Sequence, residues 1–126
     1  MPLITKIIIG IITVIHLYIL WFEMFAWTSR GPEIFKILPK EIFEPTKAMA
    51  ANQGLYNGFL AAGLIWTYFI TDPIWKKNIS VFFLCCIMVA GIYGSFTIET
   101  KILFIQTIPA AIAMTLVFLS NKKANS

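Results

Sequence analysis

Apolar residues run along this chain in four long blocks, at residues 3–27, 55–71, 79–97 and 102–119, separated by clusters of Gly, Pro, Asn, Asp and charged residues. Each block is near the ~20 residues that a helix needs to cross ~30 Å of hydrocarbon. The pattern therefore predicts four transmembrane helices. Residues 46–53 look like a helix start that runs on into the second block, so this helix is expected to begin outside the hydrocarbon. Four antiparallel helices with mostly short connections predict an all-α membrane protein, an up-down bundle forming a single domain over residues 1–126. No internal repeat or low-complexity linker interrupts it.

The connections refine this picture. Gly31 and Pro32 are expected to stop the first helix, with Trp27 at the interface. In the longest connection, residues 28–51, two stretches at 32–38 and 39–44 alternate apolar and charged positions at helical spacing, and each begins with a proline, tolerated in a first helical turn. They predict two short amphipathic turns lying on the membrane surface; a partly ordered loop capping the bundle is the alternative. Asp72 and Pro73 are expected to close the second helix, with Trp75, Lys76, Lys77 and Asn78 as a short interfacial turn. Residues 96–101 form a tight connection, and Asn121, Lys122 and Lys123 a polar tail.

Composition excludes the main alternative, a water-soluble domain. The chain is 59% hydrophobic and 13% charged, against the ~25% charged residues of ordinary soluble proteins. Its formal net charge of +4 comes from basic residues at segment ends. No basic run interleaves with exposed aromatics, so nothing points to nucleic acid. The first block is too long for the ~7–15-residue core of a signal peptide, and residues 24–28 contain no small-x-small cleavage site. Cys85 and Cys86 are adjacent on a helix, ~100° apart, and read as small buried residues rather than a redox pair. With one histidine and no Cys-x-x-Cys pair, no metal site or cofactor is expected. Four crossings put Lys6, Lys76, Lys77, Lys122 and Lys123 on the side of the termini and Arg30, Lys36, Lys40, Lys47 and Lys101 on the other, a tie of five each. The clustering of the first set beside helix ends favours cytoplasmic termini in a plasma-membrane protein.

Candidate chemistry begins with His16 and Glu23, seven positions apart and so on one face of the first helix. Thr5, Ile9, Ile12, Leu20 and Trp27 continue that face. The two ionisable groups are separated by ~10 Å along the axis. An ionisable group within a membrane helix costs at least ~2.5 kcal/mol and usually faces the bundle interior. Glu23 could contact a ligand or anchor a structural hydrogen bond; a lone histidine as deep as His16 is more often a packed residue. In the second helix Gly54, Asn57, Gly58, Ala61 and Ala62 share a face of small residues that permits close approach. Asn52, Gln53 and Asn57 bring more amides than packing requires. The third helix adds Tyr93, Thr97 and Glu99 with Ala90 and Gly94 as a small pair. The fourth adds Gln106 and Pro109, whose missing donor frees a carbonyl one turn earlier. In an antiparallel bundle Glu23, Asn52, Gln53, Tyr56, Asn57, Tyr93, Glu99 and Gln106 share one leaflet.

The strings Glu23-Met24-Phe25-Ala26-Trp27 and Asn52-Gln53-Gly54-Leu55-Tyr56-Asn57-Gly58-Phe59-Leu60-Ala61-Ala62-Gly63, with Ala90-Gly91-Ile92-Tyr93-Gly94 later, resemble a bacterial membrane family known as domain of unknown function 1304. The resemblance covers nearly the whole chain. It implies a small bacterial integral membrane protein of four helices and carries no established reaction.

Three functions fit. The first is binding of a small amphiphile, lipid head group or ion in a polar pocket confined to one leaflet, lined by Glu23, Asn52, Gln53, Asn57 and Tyr93 with His16, Tyr56, Glu99 and Gln106. The second is a structural or accessory subunit, as a homo-oligomer or within a larger membrane complex. The third is a membrane enzyme using Glu23 as acid or base, which lacks a second nucleophile or metal cluster. The apolar half of the bundle argues against an open conduction path.

Overall fold

The computed structural model describes the backbone of residues 1–124 and the side chains of residues 1–120. Within these the chain is helical, with no strand: α1 (Leu3–Phe25), α2 (Trp27–Ile34), a 3-10 turn (Lys40–Ile42), α3 (Lys47–Phe69), α4 (Pro73–Thr97), a π-helical turn (Leu103–Thr107) and α5 (Ile108–Ala124). Helix α5 thus runs through the backbone of the expected polar tail, whose side chains lie outside the described residues. Three helical stretches, Leu3–Phe25, Pro73–Thr97 and Leu103–Ser120, are long and apolar enough to cross a membrane. Helix α3 is 23 residues long but is not among them, because Asn52, Gln53 and Asn57 lower its apolar character. Ile11 and Val14 on α1, with Phe82, Val89 and Phe96 on α4, are large exposed apolar residues. Hydrocarbon covers such faces more readily than water.

The chain divides into two compact units, one of residues Val14–Ala61 and the other of Met1–Thr13 with the described residues from Ala62 on. In the first, α1 ends one residue before a break at Ala26, whose φ of −126° and ψ of 11° lie outside the helical region. Helix α2 then passes through Gly31 and Pro32, which the sequence pattern had marked as a stop. Gly31 serves a different purpose. It is buried, and a Cβ there would collide with the Phe43 ring. Pro32 gives up one main-chain donor, a loss that a short helix near its end tolerates. The first expected amphipathic turn, residues 32–38, is therefore replaced by the end of α2 and a loop. The second is the 3-10 turn that follows Pro39.

Phe43 anchors this connection. It is 2% exposed, and its ring centroid lies 4.9 Å from that of Trp27. Trp27 also packs on Phe22 at 5.8 Å and Phe35 at 6.0 Å. Its indole N–H donates to Thr46 Oγ1 at 3.0 Å, so the half-buried indole has a polar partner. Residues 27–46 are thus an ordered aromatic cap.

In the second unit, Asp72 starts α4 rather than closing α3. Its carboxylate accepts from the main-chain N–H groups of Ile74 and Trp75 at 2.9 and 3.0 Å, and Pro73 occupies the first helical position, where its missing donor costs nothing. Trp75, Lys76, Lys77 and Asn78, expected as an interfacial turn, are the opening turns of α4. Near the start of α1, the Tyr68 hydroxyl donates to the Lys6 carbonyl.

Helix α4 packs along the π-helical turn and α5. The small pair making this possible is Gly91 and Gly94, both buried, with Ala90 exposed. A Cβ on Gly91 would stand 3.0 Å from the Thr107 main-chain nitrogen, and the Thr107 hydroxyl donates to the Met88 carbonyl at 3.3 Å. The π-helical turn ends at Thr107, two residues before Pro109. Ile108 N–H reaches back five residues to Leu103 O, absorbing the irregularity that a proline inside a helix imposes.

Candidate functional site

Burial along α1 follows the face predicted from spacing. Thr5, Ile9, Ile12 and His16 are each at most 1% exposed, and Glu23 two turns beyond His16 is half-buried. Helix α3 presents Gly54, Asn57, Gly58 and Ala61 inward, while Ala62 is exposed.

Small residues bring α1 and α3 together in the unit Val14–Ala61. A Cβ on Gly54 would meet Met24 Cγ at 2.8 Å, Glu23 Cβ at 3.0 Å and the Leu20 carbonyl at 3.1 Å. One turn on, a Cβ on Gly58 would meet Leu20 Cδ1 at 2.5 Å. At this separation a side chain as short as asparagine spans the gap. Asn57 Nδ2 donates to Glu23 Oε1 at 2.8 Å and to the main-chain carbonyl of Gln53 at 3.1 Å. The two bonds use both hydrogens of the amide, fixing its orientation. A carboxylate has about four lone-pair sites, and Asn57 fills one of them. The arrangement can hold a cation or hydrogen-bond donor against a carboxylate whose position is set by the fold.

The other sequence-predicted site residues are placed as follows. Gln53 contributes its main-chain carbonyl, and its side chain, like that of Asn52, is exposed. Tyr56 is 64% exposed and packs edge-on against Phe59, ring centroids 5.8 Å apart. His16 is part of the buried face of α1. Tyr93, Glu99 and Gln106 belong to the second unit. There Tyr93 is 71% exposed on α4, and Glu99 pairs with Lys101 at 3.3 Å in the α4–α5 connection. Gln106 lies half-buried in the π-helical turn. The contacts of Met24 and Thr46 escaped the sequence reading. Thr46 immediately precedes α3, a position where a hydroxyl commonly caps, and that was its signal.

The family model for proteins of unknown function named DUF1304 matches residues 10–118 of the chain. An uncharacterized protein, YpaA, of Lactococcus lactis subsp. lactis (strain IL1403) is 30% identical over 108 residues, covering 84% of this chain and 89% of the relative. No solved structure matches.

Proposed function

The chain belongs to the DUF1304 family of proteins of unknown function, and we propose that it is a four-crossing integral membrane protein that binds the polar head of a small amphiphile, or an ion, at the Glu23–Asn57 pair. The observation that carries this reading is a half-buried carboxylate held by an amide from the facing helix at 2.8 Å. Keeping an ionisable group in a membrane helix costs at least ~2.5 kcal/mol, and such groups usually serve a pathway or ligand. Contacts of Leu20 with Gly58 and of Met24 with Gly54 support α1 and α3 running in opposite directions. In this reading α3 is the fourth crossing, its amides lie in the leaflet away from the termini, and the termini are cytoplasmic. Reporter fusions after Ser126 and within residues 33–44 then give opposite readings; equal readings would refute the four-crossing topology.

Glu23→Gln separates binding from packing, because glutamine keeps an acceptor for Asn57 while losing the charge. The expected result is a small molecule that co-purifies with the detergent-solubilised parent, is identified by mass spectrometry, and is lost from a variant with an unchanged unfolding midpoint. If nothing is retained by the parent, or retention survives the substitution, the binding reading fails. The accessory-subunit reading is favoured by one observation, the use of both Asn57 hydrogens within the protein. It predicts that Glu23→Gln changes neither retention nor folding.

A further inference from the structure

Where α3 gives way to α4, an open groove of about 360 Å³ is lined by Trp66, Phe69, Ile70, Thr71, Asp72, Trp75 and Ile79. Its chemistry is divided. Phe69, Ile70 and Ile79 supply apolar wall, Trp66 and Trp75 supply two indole rings, and Asp72 supplies a carboxylate at the turn. Tryptophan is enriched at the level of lipid head groups, where its ring meets both hydrocarbon and water. Two indoles beside a carboxylate form a setting that attracts an ammonium group, by ring quadrupole and by charge.

The lysines narrow the choice of ligand. Lys76 lies one turn into α4 from the Asp72 cap, its main-chain N–H donating to the Asp72 carbonyl at 2.9 Å. Lys77 is directed elsewhere, its ammonium 5.2 Å from the Phe118 ring centroid. A simple cation on Asp72 would be repelled by Lys76, and an anionic head group would be repelled by Asp72. A head group carrying phosphate and ammonium a few ångströms apart satisfies both charges. We infer that this groove binds a zwitterionic phospholipid, with its ammonium at Asp72, Trp66 and Trp75, its phosphate toward Lys76, and acyl chain along Phe69, Ile70 and Ile79. The inference rests on the membrane-spanning reading only for placing the groove at head-group level. It shares no residue with the Glu23–Asn57 pair.

The test is native mass spectrometry of the full chain in detergent, titrated with equimolar dioleoyl phosphatidylethanolamine and dioleoyl phosphatidylglycerol. The ammonium lipid is expected to be retained roughly two- to fivefold more than the glycerol lipid, the range of an exposed cation–π contact. Dioleoyl phosphatidylcholine retained equally well supports the same assignment, since its ammonium is drawn by the same rings and carboxylate. Asp72→Asn should abolish the preference with an unchanged unfolding midpoint, because asparagine caps a helix as well as aspartate does. If that variant loses stability, Trp75→Leu decides, since its main-chain N–H still donates to Asp72. Equal retention of the two lipids by the parent, preference for phosphatidylglycerol, or a preference surviving both substitutions overturns the inference. The Glu23 experiment reads another variant, at residues that do not line this groove, so failure there leaves this result interpretable.

Discussion

Within Val14–Ala61, α1 and α3 meet through a carboxylate and an amide, whereas α4 and the π-helical turn before α5 meet through a hydroxyl and a main-chain carbonyl. Both contacts depend on glycine: Gly54 and Gly58 admit Leu20 and Met24, and Gly91 admits Thr107. The contact between α4 and the π-helical turn shows that this chain can close a helical pair with Thr107 to Met88, a neutral bond of 3.3 Å. Packing α1 on α3 would need nothing more. An ionisable carboxyl at Glu23 carries an insertion cost that a threonine does not, and this excess over the packing requirement distinguishes the two helix contacts.

The largest expected effect lies in the aromatic cap of the charged half. Phe43→Ala removes a fully buried ring and should lower unfolding stability in detergent by about 3–5 kcal/mol, with altered Trp27 fluorescence. A loss under about 1 kcal/mol would mean that the cap contributes little to the fold. Next come the glycines, where the halves should differ. Gly91→Ala drives a methyl against the Thr107 main-chain nitrogen, which cannot rotate away, and should cost about 1–3 kcal/mol. Gly58→Ala meets the tip of a leucine that can change rotamer, and should cost less than about 1 kcal/mol. Gly58→Leu exceeds that freedom and should lower the thermal midpoint, whereas Phe59→Leu should hardly move it. Equal costs for the two alanine substitutions would erase the distinction between a rigid and a yielding contact.

The remaining effects concern the polar bonds themselves. A double-mutant cycle of Glu23→Leu and Asn57→Leu, each of which removes the bond, should return a coupling of about 1–2 kcal/mol, at the upper end for hydrogen bonds between membrane helices. Thr107→Val should cost about 0.6 kcal/mol, near the average for such bonds. A Thr107 cost equal to the Glu23–Asn57 coupling would remove the energetic basis for treating the two helix contacts differently.

Hydrophobic blocks and their punctuation were enough to read the long helices, because helix formation over ~20 apolar residues is a local property. The same periodicity put His16 and Glu23 on one face of α1 and Asn57 on the inward strip of α3, since side chains three, four and seven residues apart share a side wherever the helix packs. Glycine and proline were harder to read. Gly31 and Pro32 lie inside α2 because Phe43, twelve residues beyond Gly31, needs the space of the missing Cβ. Asp72 and Pro73 are equally compatible with ending one helix and capping the next until the cap bonds are seen. The π-helical turn before Pro109 and the choice of Gly91 over Ala90 depend on how far α4 and α5 are offset. Direct contact between Glu23 and Asn57 likewise required the rotation and separation of two helices whose contacting residues are 34 positions apart. Those quantities are set by the fit of Gly54 and Gly58 against Leu20 and Met24, and no periodicity within either helix encodes the fit between them.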